Sequence, residues 1–194
     1  MPRSTYHHGD LRTALLTAGR EALRVGRLES LSLRELSRTV GVTPTAAYRH
    51  FRDKEALLEA VAIAGFGELR EALRASAPSN AGTPSVEALV VAYLGFAHAN
   101  ADLVKLMFQL RAERGTNRSK RADAAGECLA EFVAAVADRD AGDDPEDAIR
   151  AAVVVWSAVH GFAMLAEASA FMTLDPWMLP SAKDLAVLGG RVRR

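Results

Sequence analysis

Cysteine is nearly absent: Cys128 is the only one among 194 residues. No disulfide can form within the chain, and a cysteine-based zinc site is excluded. A chain with one thiol suits a reducing compartment, and a cytoplasmic location is expected. Long apolar runs are missing too. The longest stretch free of Asp, Glu, Lys and Arg is Ala151 to Ala166, shorter than the roughly 20 residues that span a bilayer. The opening MPRSTYHHGD is polar and basic, without an apolar signal core, so no membrane partner is expected. Strand-type alternation and internal repeats are not found. Nor is there a G-x-S-x-G, a phosphate loop, a carboxylate pair or a supported Cys–His arrangement. An enzyme, a metal and a cofactor are therefore not expected.

What is present is helix-forming and apolar. Hydrophobic residues make up 49% of the chain, enough for a buried core, and the fold class expected is all-α with about nine helices. The formal net charge of zero hides an asymmetry. Residues 1–54 hold 10 Lys and Arg against 5 Asp and Glu, whereas residues 55–194 hold 14 against 19. A basic head on an acidic body points to an anionic partner for the head alone. The expected division is a basic N-terminal domain over 1–54 and a second, larger domain over 55–194.

Leu11, Leu15, Ala18, Ala22 and Val25 recur on one face of a first helix, with Asp10 as its cap and Gly26 as its stop. In SLRELSRTVG, Ser32 and Glu35 have the spacing of a reciprocal capping box, and Gly41 marks the C-terminal stop. Two residues later Thr43 can cap another helix with Pro44 at its first position. Asp53 caps a long helix running to about residue 75. After a loop over 76–85, helices are expected at about 85–99, 102–111, 119–138 and 145–168. The last of these opens on Asp144, Pro145 and Asp147. A short final helix lies within about 176–189, disturbed by Pro176 and Pro180.

Two short helices joined by a glycine-containing turn form a helix-turn-helix pattern, whose second helix enters the major groove of DNA. At about 100° per residue with Pro44 at zero, Ala47 and Phe51 fall near 300° and 340° and face inward. Arg49, Thr45 and Ala46 occupy the opposite side, and Tyr48 and His50 flank them. Such a face presents its centre to base edges and its flanks to phosphates. Lys54, a cation at a helix N-terminus, suits a bound phosphate. Arg34 and Pro44 complete the candidate DNA-binding set. His7 and His8 next to Arg3 read as a disordered N-terminal tail, with a minor-groove arm as the alternative.

YHHGDLRTALLTAGREAL, followed by LSLRELSRTVGVTPTAAYRHFRDKEALLEAV, resembles the DNA-binding domain of the tetracycline-repressor (TetR) family over about residues 6–62. The segment VVWSAVHGFAML resembles the Trp-His-Gly signature of one C-terminal subclass. The resemblance implies an all-helical homodimer with three short helices for DNA and a larger helical domain for a small effector. It also places Thr43, Thr45, Ala46, Tyr48, Arg49, His50 and Lys54 at DNA. The function so implied is a transcriptional regulator, a repressor released from near-palindromic operator DNA by a small apolar effector. An architectural, effector-independent DNA-binding protein is the alternative.

In the body, the 145–168 helix is apolar nearly all round, so one side can face the interior and the other a partner subunit. Candidate effector-lining residues are Phe96, His98, Met107, Phe108, Phe132, Trp156, His160 and Phe162, chosen as large adaptable side chains with two polar histidines among them. His98 and Asp102 have i, i+4 spacing, but Asn100 interrupts the helix between them, so a metal pair is not expected. FQLRAERGTNRSKR reads as a charged loop.

Overall fold

The computed structural model describes residues 8–25, 31–79, 82–109, 120–140, 144–170 and 178–188, with the single positions 173 and 175. Gly26 as a helix stop, the N-terminal tail before residue 8, residues 110–119 of the expected charged loop and Pro176 lie outside them, while the ends of that loop, Phe108, Gln109, Lys120 and Arg121, are helical. Among the described residues there are nine helices and no strand. They are α1 (His8–Arg24), α2 (Leu33–Thr39), α3 (Pro44–Tyr48), α4 (Lys54–Ala75), α5 (Val86–Ala99), α6 (Ala101–Gln109), α7 (Lys120–Asp140), α8 (Pro145–Glu167) and α9 (Ala182–Ala186).

By packing, the chain divides into two compact units, with the division at Gly65 inside α4. The first unit holds α1, α2, α3, the first half of α4, and α6 from Asp102. The residue 54/55 boundary drawn from charge therefore falls within it. The reason is burial: Leu57, Leu58, Val61 and Ala62 of α4 are core residues, and Gly19 of α1 lies against Leu57 and Val61. Gly65 lets α6 come close, since a Cβ there would sit 2.9 Å from both Leu103 Cδ2 and Met107 Sδ.

The buried line of α1 is Leu11, Leu15, Gly19 and Leu23, not the stripe ending at Val25, which is 47% exposed. An i, i+4 line drifts slowly around a 3.6-residue helix, and the core follows the leucines. α1 starts at His8, so Asp10 lies in its first turn and not at its cap. Ser32 does accept the Glu35 N–H at 3.1 Å, but the return bond of a capping box is not formed there. A full box closes instead at Ser181 and Asp184. Asp53 and Asp144 cap as expected, accepting from Ala56 N at 2.7 Å and Glu146 N at 2.9 Å.

The second unit packs α8 chiefly on α7 and α5, with α9 against α5. Ala151, Ala152, Val155, Val159 and Ala163 form the buried face of α8, while Ile149, Val153 and Leu165 are 48%, 43% and 51% exposed. By length and composition α8 could cross a membrane, its most apolar stretch having a mean hydropathy of 1.6. Its first turns nevertheless carry Glu146, Asp147 and Arg150, and both acids pair with the arginine at 2.6 Å.

The second half of α4 is fastened to α7. Arg70 pairs with Glu127 and Glu131, and Arg74 donates to Glu131 at 2.8 Å. Beside them the Cys128 thiol, fully buried, donates to the Phe66 carbonyl at 3.2 Å, and burial pushes it up to about 12.

Candidate functional site

The turn between α2 and α3 is built by one residue. Gly41 adopts φ +75°, the left-handed region that costs a side-chain-bearing residue free energy. There the Val42 N–H reaches back to Ser37 O at 2.9 Å and the Gly41 N–H to Arg38 O at 3.2 Å. These two bonds make a Schellman motif, which ends α2 and redirects the chain. Ser37, buried beside the turn, gives its hydroxyl proton to Leu33 O at 2.5 Å, so no polar group is stranded.

α3 then starts at Pro44, with Thr43 at the N-cap. Thr43 makes no side-chain capping bond, contrary to the expectation from its position. Pro44 has already removed one of the N–H groups that need a partner. Regular helix ends at Tyr48, but the winding continues through Arg49, His50 and Phe51, whose N–H groups bond to Ala46 or Ala47 carbonyls. Ala47 and Phe51 are buried at 0% and 3%, the inward edge expected. Thr43, Pro44, Thr45, Tyr48 and Arg49 are exposed, as is Arg34 on α2. Ala46 and His50 are half-buried. The presented arc is thus centred on Thr45, between Tyr48 and Arg49, and not on Arg49.

At the start of α4, Lys54 is half-buried. The Asp53 carboxylate accepts the Ala56 N–H and an Arg52 Nε–H at 2.9 Å. A phosphate at this helix start would therefore share the position with the capping acid. Arg12 of α1, which no sequence motif marks, has its Cζ 5.2 Å from the Phe51 ring centroid. Its spacing from Phe51 leaves no motif to find.

The eight candidates for the effector region are divided between the two units. Phe132 and Trp156 stack nearly parallel, 6.1 Å between centroids at 8°. His160 meets Tyr93 edge-on at 87°, with Nδ1 2.8 Å from the phenol oxygen. Phe96 and Phe162 are half-buried in the same unit. His98 points outward, its side chain 90% exposed, with Nδ1 3.2 Å from Glu167. Met107 and Phe108 belong to the other unit, Met107 buried against Gly65 and Phe108 37% exposed. Among the described residues, no three His, Cys, Asp or Glu side chains gather as a metal-holding group.

Residues 15–61 match the family of bacterial regulatory proteins called the tetR family, and residues 86–182 match the tetracyclin repressor-like C-terminal domain. Among solved structures, a protein of unknown function from Rhodococcus sp. RHA1 is 32% identical, with 97% of this chain and 96% of that chain covered and a TM-score of 0.74. A transcriptional regulator of the TetR/AcrR family from Thermobifida fusca YX-ER1 shares the fold at 23% identity, TM-score 0.61, over 95% and 100% of the two chains. So does a TetR variant from Acinetobacter baumannii AYE in complex with minocycline, at 20% identity, TM-score 0.59, over 91% and 92%.

Proposed function

We propose that this chain, a DNA-binding transcriptional regulator that belongs to the tetR family of bacterial regulatory proteins, is a cytoplasmic repressor. In this reading it binds near-palindromic operator DNA as a homodimer and leaves it when a small apolar effector binds the body. The observation that carries the DNA part is the presented face of α3. Thr45, Tyr48 and Arg49 are exposed on a helix whose opposite edge, Ala47 and Phe51, is sealed into the core. Arg49 is the candidate for a base edge, where a guanidinium can make two parallel hydrogen bonds. Ala46 could add apolar contact, and Thr43, Pro44, Tyr48, His50, Lys54 and Arg34 would line the phosphates.

The two-fold reading rests on the unpartnered face of α8. Ile149, Val153 and Leu165 are large apolar side chains left open in a single chain, and a second copy would bury the same face on itself. The effector reading rests on the aromatic cluster of Phe132, Trp156, Tyr93 and His160, where two hydrogen-bonding groups stand among apolar rings. Minocycline in the related fold is a precedent for a ligand. A ligand can loosen DNA only by preferring the conformation that binds DNA poorly.

The test is selection from random duplexes, repeated with Arg49→Ala and Lys54→Ala. The wild type should enrich a two-fold symmetric motif. Arg49→Ala should cost roughly 1–3 kcal/mol and blur one position, and Lys54→Ala should weaken all sequences alike. A wild type that enriches nothing would sink the specific-regulator reading. Release of the enriched duplex by no apolar compound would instead favour the effector-independent alternative.

A further inference from the structure

We infer that Arg12 is a phosphate-contacting residue of the DNA-binding head, held ready by the Phe51 ring. The inference rests on the DNA-binding reading and extends the interface beyond the helix-turn-helix to α1. Three observations meet at this residue. Its side chain is exposed on α1 while its Cζ stands 5.2 Å from the Phe51 centroid, within the range of a cation over a ring. The ring itself is fixed, 3% exposed and tied into the last turn of α3 by the Phe51 N–H bond to Ala47 O at 3.1 Å. Finally, Phe51 stands in the chain between His50 and Lys54, two positions proposed to line the phosphates.

Charge accounting separates Arg12 from its neighbours. Arg24 gives Nε and Nη2 to the Glu21 carboxylate at 2.8 and 2.6 Å, and Arg52 gives Nε to Asp53 at 2.9 Å. An acid so placed cancels the cation for any outside anion and occupies its donors. An aromatic face attracts a guanidinium through its quadrupole, takes no N–H in the plane, and leaves the charge whole. Stacking also restricts the long side chain before DNA arrives, so less rotamer freedom is lost on contact. The planar N–H fork of a guanidinium matches two phosphate oxygens.

Salt dependence separates this role from a purely structural one. Each neutralised phosphate contributes about 0.9 to the slope of log K against log salt. Binding of a labelled random-sequence duplex would be followed across a salt series for the wild type, Arg12→Gln, Arg12→Lys and Phe51→Leu, with thermal unfolding of each. Arg12→Gln should lower the slope by about 1, weakening the random duplex and any enriched duplex equally. Arg12→Lys should keep the slope and bind more weakly, since it keeps the charge and loses the planar fork. Phe51→Leu should behave like Arg12→Lys, the cation remaining without its support. An unchanged slope in Arg12→Gln, with weaker binding or a lower melting temperature, would show that Arg12 only braces Phe51 and overturn the inference. A wild type that binds no duplex at any salt would overturn the DNA-binding reading itself.

Discussion

The phenol oxygen of Tyr93 and Nδ1 of His160 lie 2.8 Å apart, a hydrogen bond that joins α5 to α8. Burial raises the Tyr93 phenol well above its ordinary value and lowers the His160 imidazole. Both groups are then neutral near pH 7, and the bond is assigned with the phenol donating to an unprotonated Nδ1.

This pair gives the fold a pH dependence of known sign. With the folded value of His160 lowered, the unfolded chain takes up the proton first as pH falls. Stability should be full above about 6.5, the ordinary histidine value, decline as pH drops through it, and level off below the folded value. His160→Gln should flatten the decline below about pH 6.5 in denaturant titrations. An unchanged decline would mean that another group is responsible.

Two helix ends make a matched pair. Just past the C-cap of α2 stands Gly41 with φ +75°, and just past that of α8 stands Ser169 with φ 58°. Each shows the same reach-back bonds, from Val42 to Ser37 in one and from Ala170 to Leu165 at 3.0 Å in the other. Only the first has the residue the conformation favours. Gly41→Ala should cost about 1–2 kcal/mol by backbone strain alone, since a Cβ there meets nothing within 4 Å. Ser169→Gly should stabilise by roughly 1 kcal/mol. Chemical denaturation of both variants checks the opposite signs.

The glycines flanking Phe66 in α4 should also respond in opposite directions. A Cβ at Gly67 meets nothing within 4 Å, so Gly67→Ala should gain up to about 1 kcal/mol of helix propensity. At Gly65 the methyl would press on Leu103 and Met107, both 1% exposed, and overpacking there should cost about 1–3 kcal/mol. Equal effects of the two changes in thermal melts would contradict the packing described.

Association through α8 is tested by charge. Val153→Glu sits on the open face, 43% exposed, so the folded monomer should tolerate it within about 0.5 kcal/mol. Light scattering should then move from a dimer mass to a monomer mass with the helical spectrum unchanged. A variant that stays dimeric would place the interface elsewhere.

The features legible in the sequence are those set within a few residues. Asp53 and Asp144 act as caps, and Gly41 stops α2, because such signals depend on neighbours in the chain. The inward edge of α3 was readable for the same reason. Harder to read was anything decided by tertiary packing. His50 is half-buried beyond Tyr48, where regular helix ends, so an ideal wheel extended to residue 51 overstates its presentation; Ala46 is half-buried within the helix itself. Ser32 and Glu35 have box spacing, yet only one of the two bonds forms, whereas Ser181 and Asp184, just past Pro180, close both. By composition, His98 and Met107 stand with Trp156 as candidate lining residues. One faces solvent and the other packs with the first unit, a distinction no local pattern carries.

Cys128 has a practical consequence. A thiol that is fully buried, bonded to Phe66 O and pushed up to about 12 has almost no thiolate at neutral pH, so alkylating reagents should pass it by. The protein thus offers a silent background for site-directed labelling with its native residue retained. A single cysteine placed at exposed Thr17 of α1 would take one fluorophore per chain. In a two-fold assembly that makes one pair of probes, and energy transfer between them would read the spacing of the two heads directly, with DNA and with each compound tried.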